Sequence, residues 1–240
     1  MNLVQLTIDL PAALHHADKV TGLARAARQD TGLVIKTALT EALAGPVVRP
    51  WRLHATHGRT ALVLGYSEDD ADALRARLAL ALPSAQAAIG EIISSRMPAL
   101  TEGAEFAFEV RFSPVVSVNR DDGKGLIRRD AFLRAKELAE AVGEPVPSRD
   151  HVYRDYLGER LLGVALVQAA LVGHRLERHA REGRGRWTVK SVPVIDMRGV
   201  VRITDAKQAQ ATLRDGIGRS KAFGCGMLRV APASAARDAA

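Results

Sequence analysis

The sequence is short of the residues that mark several common functional classes. Cys225 is the only cysteine. A single thiol rules out an internal disulfide and a thiolate metal cluster. Lying between Gly224 and Gly226, it reads as a small filler and not as a nucleophile. Aromatic residues make up 4% of the chain, too few for a protein that holds unpaired bases mainly by stacking. The aromatic signature of an RRM is also missing. No uncharged apolar run is long enough to cross a bilayer; the longest candidate, residues 161–173, is too short and contains Gln168. Residues 1–10 have neither the basic start nor the apolar stretch of a secretory leader. The expectation is a soluble, cytoplasmic protein that does not engage membranes.

What is present is a sizeable core and an uneven charge. The chain has 240 residues, 47% of them hydrophobic, enough for one large domain or two of about 100 residues. The formal net charge is +7 and the sequence pI is near 10.0. Residues 1–105 carry 10 Lys+Arg against 11 Asp+Glu, a net of −1. Residues 106–240 carry 24 against 16, a net of +8. A basic half beside a neutral one suggests a polyanion partner for the basic half.

The most distinctive stretch is residues 216–226, Gly-Ile-Gly-Arg-Ser-Lys-Ala-Phe-Gly-Cys-Gly. Gly216 and Gly218 stand on one side of Arg219, Ser220 and Lys221, and Gly224 and Gly226 on the other. Glycines let a backbone approach a ligand closely, successive exposed amides make an anion-binding concavity, and the two cations add donors. The natural guest is a phosphate chain. Residues 206–214 read as a helix with Thr204 or Asp205 as N-cap and Gly216 as its stop. Residues 227–230 read as a short strand. Helix, glycine loop, strand is the reverse of a dinucleotide-binding or Walker arrangement. The plainer alternative is a connection that needs glycines only for its turns.

In chain order, residues 3–10 alternate as a half-buried strand that Pro11 ends. His15 and His16 then fall in a short polar surface segment. Arg25 and Arg28 lie three apart in a basic bridge, and Asp30 or Thr31 caps a helix over residues 33–43. Residues 51–57 and 60–66 form a hairpin, Ser67 caps a helix through Leu82, and residues 88–94 form a last strand. Strand, helix, strand, strand, helix, strand is the ferredoxin-like order. The second half begins with a long strand, residues 105–118, bent at Pro114. A basic loop with Arg120 and Lys124 follows. Residues 128–142, opening with Arg128 and Arg129, and residues 148–162 read as helices. Strands over 164–178 and 186–194 flank a charged hairpin tip carrying Arg181, Arg184 and Arg186, and residues 200–204 make another strand. The expected fold is α+β: two tandem ferredoxin-like (RRM-like) domains, residues 1–97 and 104–232. A helical insertion and a basic β-hairpin elaborate the second.

Two such domains, with a Gly-x-Gly, basic, Gly-x-Gly loop before the final strand, resemble the CRISPR repeat-cleaving endoribonucleases such as the CasE subunit of type I-E Cascade. The related crRNA-processing subunits of type IV systems share the loop and fold. Residues 111–126 look like the family's basic loop, and residues 50–67 like its hairpin ending in Gly-Tyr-Ser. The resemblance implies cofactor-free, metal-independent cleavage of precursor CRISPR RNA at the base of the repeat hairpin. The ribose 2′-hydroxyl attacks the adjacent phosphorus and leaves a 2′,3′-cyclic phosphate. It implies retention of the crRNA stem-loop, partnership with other effector-complex subunits, and a monomer before assembly. RNA contacts would come from Gly216, Gly218, Arg219, Ser220, Lys221, Gly224 and Gly226. They would be joined by Arg120, Lys124, Arg128, Arg129, Arg181, Arg184 and Arg186.

The sequence departs from the family at one place. CasE-like enzymes carry a Tyr and a His in the first helix of domain one, and those positions fall on Leu33 and Lys36. Catalysis would then rest on the cations Lys36, Arg25, Arg28 and Arg219, and the departure raises the type IV relation. The other reading is a non-catalytic subunit that binds the crRNA hairpin in a CRISPR ribonucleoprotein.

Overall fold

The computed structural model describes residues 1–23, 27–119, 125–183 and 186–232. Arg25, Arg120, Lys124 and Arg184 lie outside them.

Strand β1, Asn2–Asp9, buries Val4, Leu6 and Ile8 on one face. Asp9 closes the strand and also caps helix α1, Leu10–Thr21, accepting the Ala12 amide at 2.8 Å. Pro11 sits in the first helical turn, where its missing N–H costs nothing. The expectation of a polar segment here is therefore corrected. His15 and His16 are helical, and His16 is buried with Nδ1 3.0 Å from the Ser84 hydroxyl. Helix α2, Thr31–Ala42, is capped by Asp30 as expected. Lys36 consequently stands on the second helix of this half, not the first.

Strands β2, Trp51–His57, and β3, Thr60–Ser67, form the expected hairpin. Helix α3 is shorter than expected. It runs Ala71–Ala79 under an Asp70 cap, because Ser67 still belongs to the strand. A single-turn helix α4, Pro83–Gln86, leads to β4, Ile89–Arg96. The sheet order β2-β3-β1-β4, antiparallel throughout, is ferredoxin-like.

Strand β5, Glu105–Phe112, ends before Pro114. The chain does not bend there but leaves the sheet, and β6, Val115–Asn119, pairs instead with β7, Leu126–Asp130. Arg128 and Arg129 are therefore strand residues. Helix α5, Ala131–Val142, starts only after them, capped by Asp130. Helix α6, Arg149–Gly158, follows under a Ser148 cap.

Next come the two longest strands, β8, Val164–Gly183, and β9, Arg186–Ile203. They are paired along their whole length. Residues 179–183 are thus strand rather than hairpin tip, and the separate strand expected at 200–204 is the end of β9. Helix α7, Ala206–Asp215, is capped by Asp205, and β10, Leu228–Pro232, is the last strand of the described residues. The second sheet, β10-β5-β9-β8, repeats the order of the first. Among the described residues no helix is long and apolar enough to cross a membrane.

The two sheets share side chains. The Tyr66 hydroxyl at the end of β3 donates to the Leu228 carbonyl of β10 at 2.8 Å, and Tyr66 packs in the second core. Its phenol is held well above the usual range by burial. In return Phe223, Ala180, Trp187 and Val189 from the second half pack on the first core.

Candidate functional site

The glycine loop is a closed structure that braces itself. The Ile217 amide donates to the Gly226 carbonyl at 2.7 Å, and the Gly226 amide donates to Arg111 on β5 at 2.6 Å. Between them Lys221–Phe223 make a 3-10 turn. Gly226 lies at φ +86°, and a Cβ there would fall 2.5 Å from the Ile217 carbonyl oxygen. Gly224, at φ +80°, faces the Trp51 ring of β2, and its Cβ would fall 2.8 Å from that ring. These glycines serve packing and backbone shape. The amides of Phe223, Gly224 and Cys225 point inward to the Ser220 and Lys221 carbonyls. An open nest of amides, as the sequence suggests, is therefore only partly available to a ligand. The loop presents side chains instead. Cys225 is fully buried, and burial pushes its thiol up to about 12, which fits a filler.

Arg219 leans over the β6–β7 ribbon, donating to the Ser117 hydroxyl at 3.1 Å, and pairs through its backbone with Ser113. Lys221 Nζ donates to the Asp215 carbonyl at the end of α7 at 2.7 Å. Ser220 lies between them at φ +62°, a left-handed conformation uncommon for a residue with a side chain.

A groove of about 780 Å³ opens on this face of the loop. The β6–β7 ribbon contributes Arg128 and Arg129, the distal β8–β9 ribbon Arg181 and Lys190, and the loop Arg219 and Lys221. Six cations from three separate segments meet there. Asp130, the one acid on the lining, is turned away: it caps α5 and accepts the Tyr153 hydroxyl at 3.0 and 3.1 Å. Tyr156 anchors the floor by donating to the Ser113 carbonyl at 3.2 Å, and burial raises its phenol. Among the described residues Arg181, Lys190, Arg219 and Lys221 have no acidic partner within ion-pair distance. Concentrated, unneutralised positive charge in a concave site draws anions.

Of the residues expected from sequence, the structure brings Arg128, Arg129, Arg181, Gly218, Arg219, Ser220 and Lys221 to this one groove. Gly216, Gly224 and Gly226 lie behind it as scaffold. Arg186 starts β9 and is exposed beyond the groove lining. Lys36 is exposed and lines a second groove of about 470 Å³ on the other side of the loop, with Arg49, Arg214 and Lys221. Arg28 is engaged elsewhere, its guanidinium 2.9 Å from both carboxylate oxygens of Asp18. Sequence reading missed Lys190 and His179. Arg186, Thr188 and Lys190 alternate with Trp187 and Val189 inside the strand expected over 186–194, whereas His179 falls in the expected turn.

His179 is buried in the groove wall, stacked on Phe223 with ring centroids 4.3 Å apart and planes 8° apart. Among the described residues neither ring nitrogen has a hydrogen-bond partner. Next to it Asp30 joins the two halves. One carboxylate oxygen caps α2 through Leu33 at 2.9 Å, and the other accepts the Ala180 amide of β8 at 2.6 Å.

Comparison with known proteins follows the same outline. A family model described as CRISPR associated protein matches residues 22–232. The fold is similar to that of the CRISPR endoribonuclease Cse3 bound to a 19-nucleotide RNA. That match has a TM-score of 0.60 and 21% identity over 97% of this chain and 100% of the other. The CRISPR-associated protein Cas6e from Escherichia coli K-12 gives a TM-score of 0.61 at 16% identity, over 97% and 100% of the two chains. A chain of a CRISPR RNA-guided surveillance complex gives 0.54 at 17% identity, with the same coverage. A search of curated proteins gives no match.

Proposed function

This chain belongs to the CRISPR-associated protein family, and from that premise we propose that it binds the hairpin of a CRISPR repeat RNA and cleaves the strand at its base. The observation that carries the reading is the groove in which Arg128, Arg129, Arg181, Lys190, Arg219 and Lys221 converge. A-form RNA presents its phosphates as a regular surface that proteins read by shape and charge. Arg128, Arg129, Arg181 and Lys190 grip the stem phosphates. Arg186, at the start of β9, extends that grip; Arg120, Lys124 and Arg184, which lie outside the described residues, are proposed to add to it. Arg219, Ser220 and Lys221 stand at the mouth of the stem and donate to the non-bridging oxygens of the scissile phosphate.

The chemistry is attack by the ribose 2′-hydroxyl on the adjacent phosphorus. Negative charge builds on the phosphoryl oxygens in the transition state, and fixed donors there lower the barrier. The cations of this chain supply such donors, so the reaction needs neither metal nor cofactor. Lys36, Arg49 and Arg214 on the second groove guide the strand leaving the loop. Arg25 precedes Arg28, whose engagement with Asp18 gives it a bracing role. The RNA-bound and surveillance-complex relatives support retention of the product hairpin and assembly with other effector subunits, entered from a free monomer.

A second reading, a hairpin-binding subunit without cleavage, is favoured by His16 lying buried against Ser84 and Lys36 lying on a helix of its own. Incubating purified protein with end-labelled repeat RNA in EDTA separates the two. The expected product is a shortened RNA ending in a 2′,3′-cyclic phosphate. Tight binding with intact RNA supports the second reading.

A further inference from the structure

We infer that His179, backed by Glu177, is the general acid that protonates the leaving 5′-oxygen; this rests on the cleavage reading above. The first observation is a pair of unmet hydrogen-bonding groups. His179 is 4% exposed, and among the described residues neither Nδ1 nor Nε2 has a partner within hydrogen-bond distance, the Glu177 carboxylate lying 3.6 Å from Nε2. A buried polar atom left unpaired is costly to stability. Native proteins leave few such atoms, and those that persist call for an explanation. His179 lies in the groove wall where the RNA backbone is expected to pass. Catalytic hydrogen bonds are often unformed until substrate arrives, and the proposed role requires the ring to turn from its stack on Phe223 toward the groove it lines.

The second observation is the group behind the ring. Glu177 Oε2 lies 3.6 Å from His179 Nε2, and Arg175 fixes the other carboxylate oxygen with an Nε–Oε1 distance of 2.7 Å. Arg175 is itself tied to Asp196 at 2.5 Å, and Arg111 to the same carboxylate at 3.0 Å. The carboxylate is therefore oriented before the histidine meets it, the arrangement by which a third group aims an acid–base residue. Burial alone would raise Glu177, but His179 and Arg175 hold its carboxyl down at about 2. The Glu177 carboxylate faces one edge of the ring and leaves the other edge for the RNA, the geometry a proton donor needs. The charged groups around the ring are Glu177 and Arg181 on its own strand, Lys190 opposite it on β9, Asp30 at the start of α2, and Lys221 on the loop.

The step balances as follows. The 2′-hydroxyl loses its proton to solvent water and its oxygen bonds to phosphorus. The bond from phosphorus to the 5′-oxygen breaks, and that oxygen takes the proton of His179. The ring regains a proton from solvent. The products are a 2′,3′-cyclic phosphate and a 5′-hydroxyl.

The test uses two substrates and two variants. One substrate is the natural repeat RNA; the other carries a bridging 5′-phosphorothiolate at the scissile position, whose thiolate leaves without protonation. His179→Phe keeps the stack on Phe223 and removes both nitrogens. It should slow single-turnover cleavage of natural RNA by about 10²–10⁴-fold. It should leave affinity for a 2′-deoxy hairpin unchanged and cleave the phosphorothiolate within about tenfold of the unmodified protein. Glu177→Gln should show the same pattern with a smaller loss, and carries the test if the phenylalanine variant does not fold. Natural-RNA cleavage at the unmodified rate in whichever variant folds overturns the inference, as does an equal loss on both substrates. If the unmodified protein leaves natural RNA intact, the cleavage reading itself falls and takes the inference with it.

Discussion

In the first half, α3 returns to the edge strand β4 through Pro83–Gln86, a single helical turn with Ala85 and Ala88 buried against the core. In the second half, α7 returns to the equivalent strand β10 through the glycine loop, which presents Arg219 and Lys221 to a groove. The hairpins differ in the same way. Strands β2 and β3 span 7 and 8 residues and turn at Gly58, whose φ is +59°. Strands β8 and β9 span 20 and 18 residues, while only Ile195–Arg202 of β9 pairs with β5. The rest projects past the sheet, with Arg181 and Lys190 facing out and Ala180, Trp187 and Val189 packed on the first half. One sheet order thus serves twice. The first copy offers a buried surface to lean on, and the second puts its extra chain length into cationic connections.

The sharpest way to break that contrast is to discharge the loop. Arg219→Ala with Lys221→Ala removes the two cations that the equivalent connection of the first half lacks. Losing a donor to a transition-state oxyanion costs about 10²–10³ in rate, and the double variant should lose at least that in single-turnover cleavage. The salt dependence of hairpin affinity should flatten by about two contacts, roughly one per removed cation. Unchanged rate and slope would reduce the loop to a turn.

The loop's shape can be broken separately from its charge. Gly224→Ala places a Cβ 2.8 Å from the Trp51 ring at φ +80°. It should cost about 1–3 kcal/mol of stability, read as a lowered denaturant midpoint. Gly218→Ala meets nothing closer than 3.6 Å and should cost only the left-handed backbone penalty of about 1–2 kcal/mol. Equal midpoints for the two would mean that the Trp51 contact does not hold the loop.

Charge reversal on the long ribbon comes next in size. Arg181→Glu or Lys190→Glu should weaken binding of the repeat hairpin more than binding of an unstructured strand, each changing the salt slope by about one contact or more. Equal losses on both RNAs would assign the ribbon to phosphate alone, without regard to shape.

The fold was legible where local chemistry decides it. Alternation marks β1 to β3, side-chain caps mark α2 and α7, and the strand order of the first half follows from them. It was misread where one residue serves two elements. Asp9 ends a strand and caps a helix, so Pro11 looked like a stop. Asp130 does the same for β7 and α5, so Arg128 and Arg129 looked helical. At Pro114 the backbone cannot donate to a ladder, and whether a chain bends or leaves the sheet depends on a distant partner, here the β6–β7 pairing. For the site, the loop's composition announced Arg219 and Lys221. Lys190 lies within a strand that alternation already marks, and His179 became visible in the groove wall only when β8 was seen to run on to Gly183. Nothing local tells a charged turn from a charged ribbon.

The smallest contrast lies between Lys36 and Arg28, two cations on adjoining segments of the first half. Lys36 is exposed on α2, and its groove shares Lys221 with the larger one. Arg28 spends its guanidinium on Asp18, both side chains partly exposed at 49% and 37%. A surface pair of that kind is worth about 0–1 kcal/mol, and a guanidinium so engaged has little to offer a phosphate. Lys36→Ala should therefore lower the salt slope of binding to RNA that extends beyond the hairpin by about one contact and leave binding to the bare hairpin unchanged. Arg28→Ala should leave both affinities and the cleavage rate unchanged, and lower stability by no more than about 1 kcal/mol. A rate loss of about 10²–10³ in either variant would instead move the transition-state contacts from the loop to this side of the cleft. The larger groove would then hold the stem alone.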